Sequence, residues 1–434
     1  MSTPVTSVDR ETAAALGRRK NEPDWLVTWR AEAGDLASRL ELPKPEKMPL
    51  KNWNLDRYGD YRPGRPVNDP SELPAALTAL LADAKAEALI VQHNSGVVLT
   101  RLPAELAAKG VVLTSLDEAV RTHERLFRDH FMTAYKRDEH RLAALHAALW
   151  SGGVLLYVPK NVEIETPVQI VVYADDAAAT LAPHVLVVAD AHSRVTVVEH
   201  MVSALPGDAG TLVVNGAVEV FAKAGAHVRY ASVHHMESRA VDIAYRRAVL
   251  GNDAVVEWIV GDLHDGDLLS DIRSELEGNG SNSDMKVITV GTGSQRMSLT
   301  TNARHIGKAS ESNMITRAVM TEEATAIMTG VTKIEKGATK ANGEQTERVL
   351  MLSPKARGDA NPILLIDEDD VKAGHAASVG QVNEEQLYYL MSRGISRKDA
   401  ERLIIHGFLN PVVAEIPHEG LRETMQRILE RKLG

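Results

Sequence analysis

From residue 154 onward the chain alternates short β-branched runs with glycine-centred turns, and this recurrence restricts the fold more than any other feature. Val154-Leu155-Leu156-Tyr157-Val158, Val168-Gln169-Ile170-Val171-Val172 and Val195-Thr196-Val197-Val198 read as strands with a two-residue period. Turns built on Gly, Asn, Asp and Ser follow at Gly225, Gly251, Gly278, Gly307, Gly330 and Gly358, with steps of 26, 27, 29, 23 and 28 residues. A loose period near 27 is the length of one solenoid coil. Comparable strands come after the turns: Val228–Val233, Val255–Val260, Met285–Val290 and Ser312–Arg317. Stacked units of this kind bury one row of side chains per coil, and each strand pairs with the coils on either side.

Composition agrees. Aromatic residues are 4% of the chain, so the core is aliphatic, which suits narrow repetitive stacking. Helix-period segments do not interrupt the strand region, which disfavours a doubly wound sheet. An antiparallel sandwich is the alternative, yet tight-hairpin signals are confined mainly to Asn215-Gly216 and Asn342-Gly343. The reading is a mainly β chain built on a parallel β-helix.

Helical segments flank it. Residues 1–150 read as a mainly helical domain, with helical spacing over Ser71–Ala86 and Ser115–Trp150 and start signals at Ser71 and at Ser115 with Glu118. A proline-punctuated connector spans 42–70. The β-helix occupies 151–382. Residues 383–434 form a helical domain: Asn383 with Gln386 starts a first helix through Arg393, Ser396 a second through Gly407, and Asn410-Pro411 a third. This domain is expected to cap the open end of the solenoid.

The net charge of −10 and the lack of a Lys/Arg cluster argue against nucleic-acid binding. The absence of cysteine excludes disulfides, thiolate nucleophiles and cysteine-ligated clusters held by this chain alone. The N-terminus through Glu22 is charged and reads as neither a signal peptide nor a membrane span, so a soluble cytoplasmic protein without a membrane partner is expected. Phosphate-binding loops, nucleophile elbows, zinc-protease helices and dinucleotide fingerprints are missing. His234-His235 ends a strand and reads as solvent or turn packing. His264, beside Asp262, Asp265 and Asp267, reads as a solvated acidic turn, and His305 as an exposed strand residue. His375 differs, because the small residues around it leave its imidazole uncrowded and open to another chain.

The ordered series Lys336–Asn342, Leu350–Ser353, Arg357–Pro362, Asp370–Gly380, Gln386–Ile395 and Ile404–Phe408, together with Trp150–Gly153 and Tyr157–Val162, resembles the SufB/SufD family of iron–sulfur cluster assembly proteins, most closely its SufD branch. The resemblance covers about residues 150–434. It implies a right-handed parallel β-helix between helical domains, in a noncatalytic scaffold subunit that pairs with a SufB-like subunit and docks a SufC-like ABC ATPase. It places the subunit contact around Pro362, Ala373, Gly374 and Ala376, and the ATPase contact around Tyr388, Arg393, Ile404 and Phe408. His375 falls on a histidine of the family's cluster-nucleating site. The chain is expected to bind no cofactor alone and to share an iron–sulfur cluster with its partner, and in isolation it is expected to homodimerise.

At Ala373 some family members carry cysteine, so sulfur ligation must come from the partner or from added sulfide, leaving His375 as one nitrogen ligand. The alternative for His375 is a packing residue at the subunit contact, and for the C-terminal apolar residues simple helix core. A rival reading of the whole chain is a β-helix polysaccharide lyase or hydrolase using acids among Glu257, Asp262, Asp265 and Asp271.

Overall fold

A computed structural model describes residues 8–55, 58–82, 88–205 and 210–433. The N-terminal segment carries α1 (Arg10–Arg19), α2 (Asp24–Arg39), α3 (Ala75–Ala82), β1 (Leu89–His93), β2 (Gly96–Arg101), α4 (Ala104–Ala108), β3 (Val112–Ser115), α5 (Leu116–Thr122), α6 (Glu124–His130) and α7 (Arg141–Leu149). The strand region then runs β4 (Val154–Val158), β5 (Val168–Ala174), β6 (His184–Ala189), β7 (Arg194–Ser203), β8 (Leu212–Ala222), β9 (His227–His235), β10 (Ala240–Leu250) and β11 (Val255–Asp262). It continues through β12 (Asp267–Leu276), β13 (Asn282–Gly291), β14 (Arg296–His305), β15 (Glu311–Met320), β16 (Thr325–Ile334), β17 (Asn342–Met351), β18 (Arg357–Ile366) and β19 (Lys372–Gln381). The chain ends in α8 (Glu384–Ser392), α9 (Arg397–Val413) and α10 (Glu419–Leu433).

From β5 onward odd strands form one sheet and even strands from β4 the other, each strand pairing in parallel with the next but one. Two strands make one coil, and about eight coils stack into a two-sheet parallel β-solenoid. Successive register partners His227, Val255, Asn282, Glu311, Asn342 and Lys372 lie 28, 27, 29, 31 and 30 residues apart. At the other end β1 and β2 extend the odd sheet and β3 the even one, with the β1–β2 and β3–β4 pairings antiparallel.

Glycine sets the coil-to-coil approach. A Cβ on Gly278 would lie 2.0 Å from the backbone of Gly251, and one on Gly307 would lie 2.0 Å from the carbonyl of Gly278. These three turns therefore stack backbone on backbone, as their spacing predicts. Gly330 and Gly358 differ from the expected turns, because they lie inside β16 and β18. Their bare α-carbons admit Glu347 and Val349 from the facing strand, at 1.9 and 2.3 Å from a notional Cβ.

The space between the sheets is filled by Val, Leu, Ala, Ile and Met, with Tyr230 and Trp258 the large rings at its centre. Helices cover the outer faces. The N-terminal helices bury Leu26, Phe127, Phe131 and Trp150 against Leu186, Val213, Phe221 and Ile243 of the even sheet. α9 and α10 bury Leu409, Val412, Met425 and Ile428 against Val233, Ile259, Ile288 and Val319 of the odd sheet. α9 and α10 thus run along the flank of the solenoid instead of capping its end, because the odd sheet's outer face is itself apolar and demands cover.

Local boundaries also differ from expectation. Pro74 holds Leu73 extended, so the segment at Ser71 makes only a short 3-10 turn capped by Asp69 before α3, and 83–86 lie outside the described residues. His123, at φ −133° and ψ 39°, breaks the Ser115–Trp150 stretch between α5 and α6. Asn410-Pro411 lies within α9 and opens no new helix. Asn383 and Ser396 cap α8 and α9 as expected, and Gly394 ends the first turn-out at φ +85°. No described helix is long and apolar enough to cross a membrane.

Candidate functional site

Parallel pairing in register puts partner residues on the same face, so the solenoid interior can be read as columns running along its axis. One column runs Tyr230, Trp258, Met285, Met314, Gln345, His375. Its neighbour runs Ser232, Val260, Val287, Thr316, Glu347, Ala377. The first turns from apolar to polar as it approaches the last coil, and the second carries its one carboxylate, Glu347, one coil inside it. His375 is therefore the terminal member of an inward-facing row, exposed because no further coil covers it.

That last coil is bare. β18 and β19 each pair on one side only, and most of their residues are half-buried or exposed. Leu365, Ile366 and Val379 are exposed apolar side chains on this end. Pro362, which cannot donate to a ladder, is tolerated on the edge strand β18. Ala373 and Gly374 are half-buried and Ala376 exposed around His375, and the Glu344 carboxylate occupies the space beside Gly374.

Just inside lies a residue that the sequence reading missed. Glu347 is 1% exposed, and neither carboxylate oxygen has a hydrogen-bond partner among the described residues. Burial raises its pKa from the ordinary 4.5 to about 7. The signal was available in strand parity: Val349 is a core residue, so Glu347 and Gln345 at two-residue steps must face inward with it. Gln345 in turn spans to the other sheet, donating to the Ile363 carbonyl at 3.4 Å.

The remaining candidates separate. Tyr388 and Arg393 are exposed on α8 and at its C-terminal boundary, with Arg393 stacked over Tyr389. Ile404 and Phe408 are half-buried on α9, where Phe408 receives the Arg317 guanidinium over its ring at 5.2 Å. Leu387 and Leu409 are core, whereas Leu403 is exposed.

Three histidine readings need correction. His234 is 3% exposed and faces the interior, where its Nδ1 lies 2.7 Å from Asp242; only His235 sits at the surface side of the strand. His264 and Asp262 are fully buried, while Asp265 pairs with Lys432 and Asp267 with Arg296. The acidic turn is thus half-buried and ion-paired, with Asp262 and His264 inside, and not a freely solvated charge run. His305 is also fully buried, held between the Ser310 and Ser312 hydroxyls at 2.9 and 2.8 Å, and burial lowers its pKa to about 4.

The acids named for a lyase or hydrolase do not converge. Glu257 is tied to His227 and Arg229 on the odd sheet, Asp271 to Arg247 on the even sheet, Asp262 lies inside and Asp265 is bound under α10. Among the described residues these four acids share no groove, whereas glycosidic chemistry needs two carboxyls flanking one bond.

Comparison with known proteins agrees with this architecture. A family model described as SUF system FeS cluster assembly, SufBD core domain, matches residues 171–408, and one for the SufBD protein N-terminal region matches 85–170. The Bacillus subtilis iron–sulfur cluster assembly protein SufD is 45% identical over 432 residues, covering 98% of each chain. The SufB protein of the same organism is 26% identical over 432 residues, covering 97% of this chain and 92% of that one. A SufBD family protein of Staphylococcus epidermidis is 26% identical over 433 residues, covering 96% and 90%. With both family regions matched in order along a two-sheet solenoid, the chain belongs to the SufBD family of iron–sulfur cluster assembly proteins.

Proposed function

We propose that this chain is a SufD-like, noncatalytic scaffold subunit that pairs through its bare last coil with a SufB-like subunit. The observation that carries this reading is the uncovered end. Two unpaired strand edges bearing Leu365, Ile366 and Val379 match the surface that β-augmentation uses, in which a partner's strands continue both sheets. The residues Pro362, Ala373, Gly374 and Ala376 line that contact. An isolated chain offers the same edges to a second copy, and homodimerisation is the expected substitute when the partner is absent.

His375 then sits at the junction as one nitrogen ligand to an iron–sulfur cluster that is cargo of the assembly, with sulfur supplied by the partner or by sulfide, since this chain has no thiol. A SufC-like ATPase docks on the C-terminal helices, through Tyr388, Arg393, Ile404 and Phe408. The exposed Tyr389, Met391 and Leu403 on the same helices support that reading, because apolar side chains grouped on rigid elements are what a docking partner covers. Assembly of this kind belongs in the cytoplasm. Co-expression with SufB-like and SufC-like subunits followed by size exclusion tests the reading: a complex containing all three is expected, and failure of this chain to co-elute with either overturns it. A His375→Ala variant is expected to assemble normally and mature fewer clusters; unchanged cluster output removes the ligand role.

A further inference from the structure

Four to six coils away from His375, the solenoid interior holds a group of charges that do not balance. Glu199 on β7, Asp242 on β10 and Asp262 on β11 are all 2% exposed or less. Against these three carboxylates stands one guanidinium, that of Arg246, bound to Asp262 at 3.0 Å. Glu199 accepts from the Tyr230 hydroxyl at 3.0 Å. Buried carboxylates persist when paired with cations, and even with a proton on His234, whose Nδ1 lies 2.7 Å from Asp242, three carboxylates face only two positive groups.

The geometry around them is that of a ligand set. One ligand atom each from His234, Asp242 and Asp262 lies within 4.8 Å of the others. His264, fully buried, completes the group: its Nε2 donates to the Asp267 carbonyl at 3.3 Å, which leaves Nδ1 as a bare lone pair. That Nδ1 has no partner among the described residues and faces the Asp242 carboxylate at 4.0 Å, and Asp242 Oδ1 is likewise unpartnered. The oxygen at 4.0 Å is Asp242 Oδ2, which already meets His234, so His264 Nδ1 and Asp242 Oδ1 are the two acceptors of this group left without a donor among the described residues, and a cation would satisfy both. A histidine tethered through Nε2 to a backbone carbonyl, with Nδ1 presented to carboxylates, is also how proteins orient a metal-ligating imidazole.

We infer that His234, Asp242, Asp262 and His264 form a binding site for one first-row divalent cation. Two imidazoles with two carboxylates and no thiolate suit Fe2+ or Zn2+ better than Ca2+ or Mg2+, which prefer all-oxygen sites. At metal–ligand distances of ~2.0–2.2 Å, neighbouring ligand atoms stand roughly 3.3 Å apart, so the 2.7 and 3.9 Å separations of His234 from Asp242 and Asp262 need small side-chain shifts, and His264, 4.0 Å from Asp242, closes in as the fourth ligand. The cation takes the place of the proton that His234 shares with Asp242, and with it the three carboxylates are matched by three positive charges. A cleft of about 710 Å³ lies over the same coil turns, lined by Ala240 and Val241 next to Asp242 and by Asp265 and Gly266 next to His264.

The test uses the untagged full-length chain stripped with chelator, then titrated with Zn2+ and, anaerobically, with Fe2+. One tightly held equivalent is expected for at least one of the two ions, and none with either overturns the proposal. Asp242→Asn and His264→Ala, each checked for native circular dichroism, are expected to weaken that equivalent at least ~10-fold, while His375→Ala keeps it. A folded Asp242→Asn or His264→Ala chain that binds as tightly as the parent overturns the assignment. If both variants fail to fold, X-ray absorption of the metal-loaded parent decides: a nitrogen/oxygen shell with two imidazoles supports the site, and fewer than two refutes it.

Discussion

Glu347 offers the sharpest perturbation. Its carboxyl titrates near 7 in the folded chain, against 4.5 when unfolded, because it is buried without a hydrogen-bond donor. A carboxyl whose folded value is raised favours folding in its protonated form. The fold is therefore most secure below pH 4.5 with respect to this group, loses stability as pH rises from there, and reaches its full loss above about 7. At 1.36 kcal/mol per pH unit the full effect is roughly 3 kcal/mol. Water reaching the bare last coil screens part of it, so about 1.5 kcal/mol is the loss expected between pH 5 and pH 8.5. Glu347→Gln removes the titration while keeping shape and polarity. Urea unfolding of both proteins at the two pH values should show the parent losing about 1.5 kcal/mol relative to the variant, with the variant the more stable at pH 8.5. Parallel pH profiles for the two proteins would refute the reasoning, since the carboxyl would then be ionised in both states at no cost.

Other perturbations test the frame around it. Gly278→Ala drives a methyl into the backbone of Gly251, and a drop of at least ~2 kcal/mol in urea stability is expected; a smaller change would mean the coils separate freely. Glu219, buried in the even sheet, accepts from the Met132, Ala134 and Tyr135 amides at 2.6, 2.7 and 2.9 Å and from His184 at 2.9 Å. Glu219→Ala strands those amides, should cost about 4 kcal/mol, and should speed their hydrogen exchange; unchanged exchange would count against the contact's importance. Val379→Lys on the free edge should leave stability of the isolated chain within ~0.5 kcal/mol while weakening association with a SufB-like partner at least ~10-fold in a pull-down titration, and undiminished binding would move the interface elsewhere.

The solenoid was legible because its turns had to be glycine where coils stack on one another, at Gly251, Gly278 and Gly307. The same residue type misled at Gly330 and Gly358, where the cause is a side chain arriving from the facing strand, and nothing local distinguishes the two uses. The flanking helices were visible from their caps, but their destination was not. That depends on Val233, Ile259 and Ile288 forming an apolar outer face, which only the register of three separate strands assembles. The buried histidines were misread for a related reason: polarity argues for solvent, and His234, His264 and His305 are inside because Asp242, the Asp267 carbonyl and two serine hydroxyls meet them there. His375 was singled out by the small residues around it and then by family likeness, whereas Glu347 needed only the parity of its own strand.

The graded interior column has a bearing on how the molecule comes together. A stack in which each coil touches only its neighbours behaves as a one-dimensional chain of links, and the links between Tyr230, Trp258 and Met285 grip hydrocarbon while those from Gln345 to His375 do not. Unzipping should thus start at β19 and travel inward, leaving the early coils as the seed for refolding. Whatever docks on the last rung would quiet that fraying, making the arrival of a companion the final step of this chain's own consolidation.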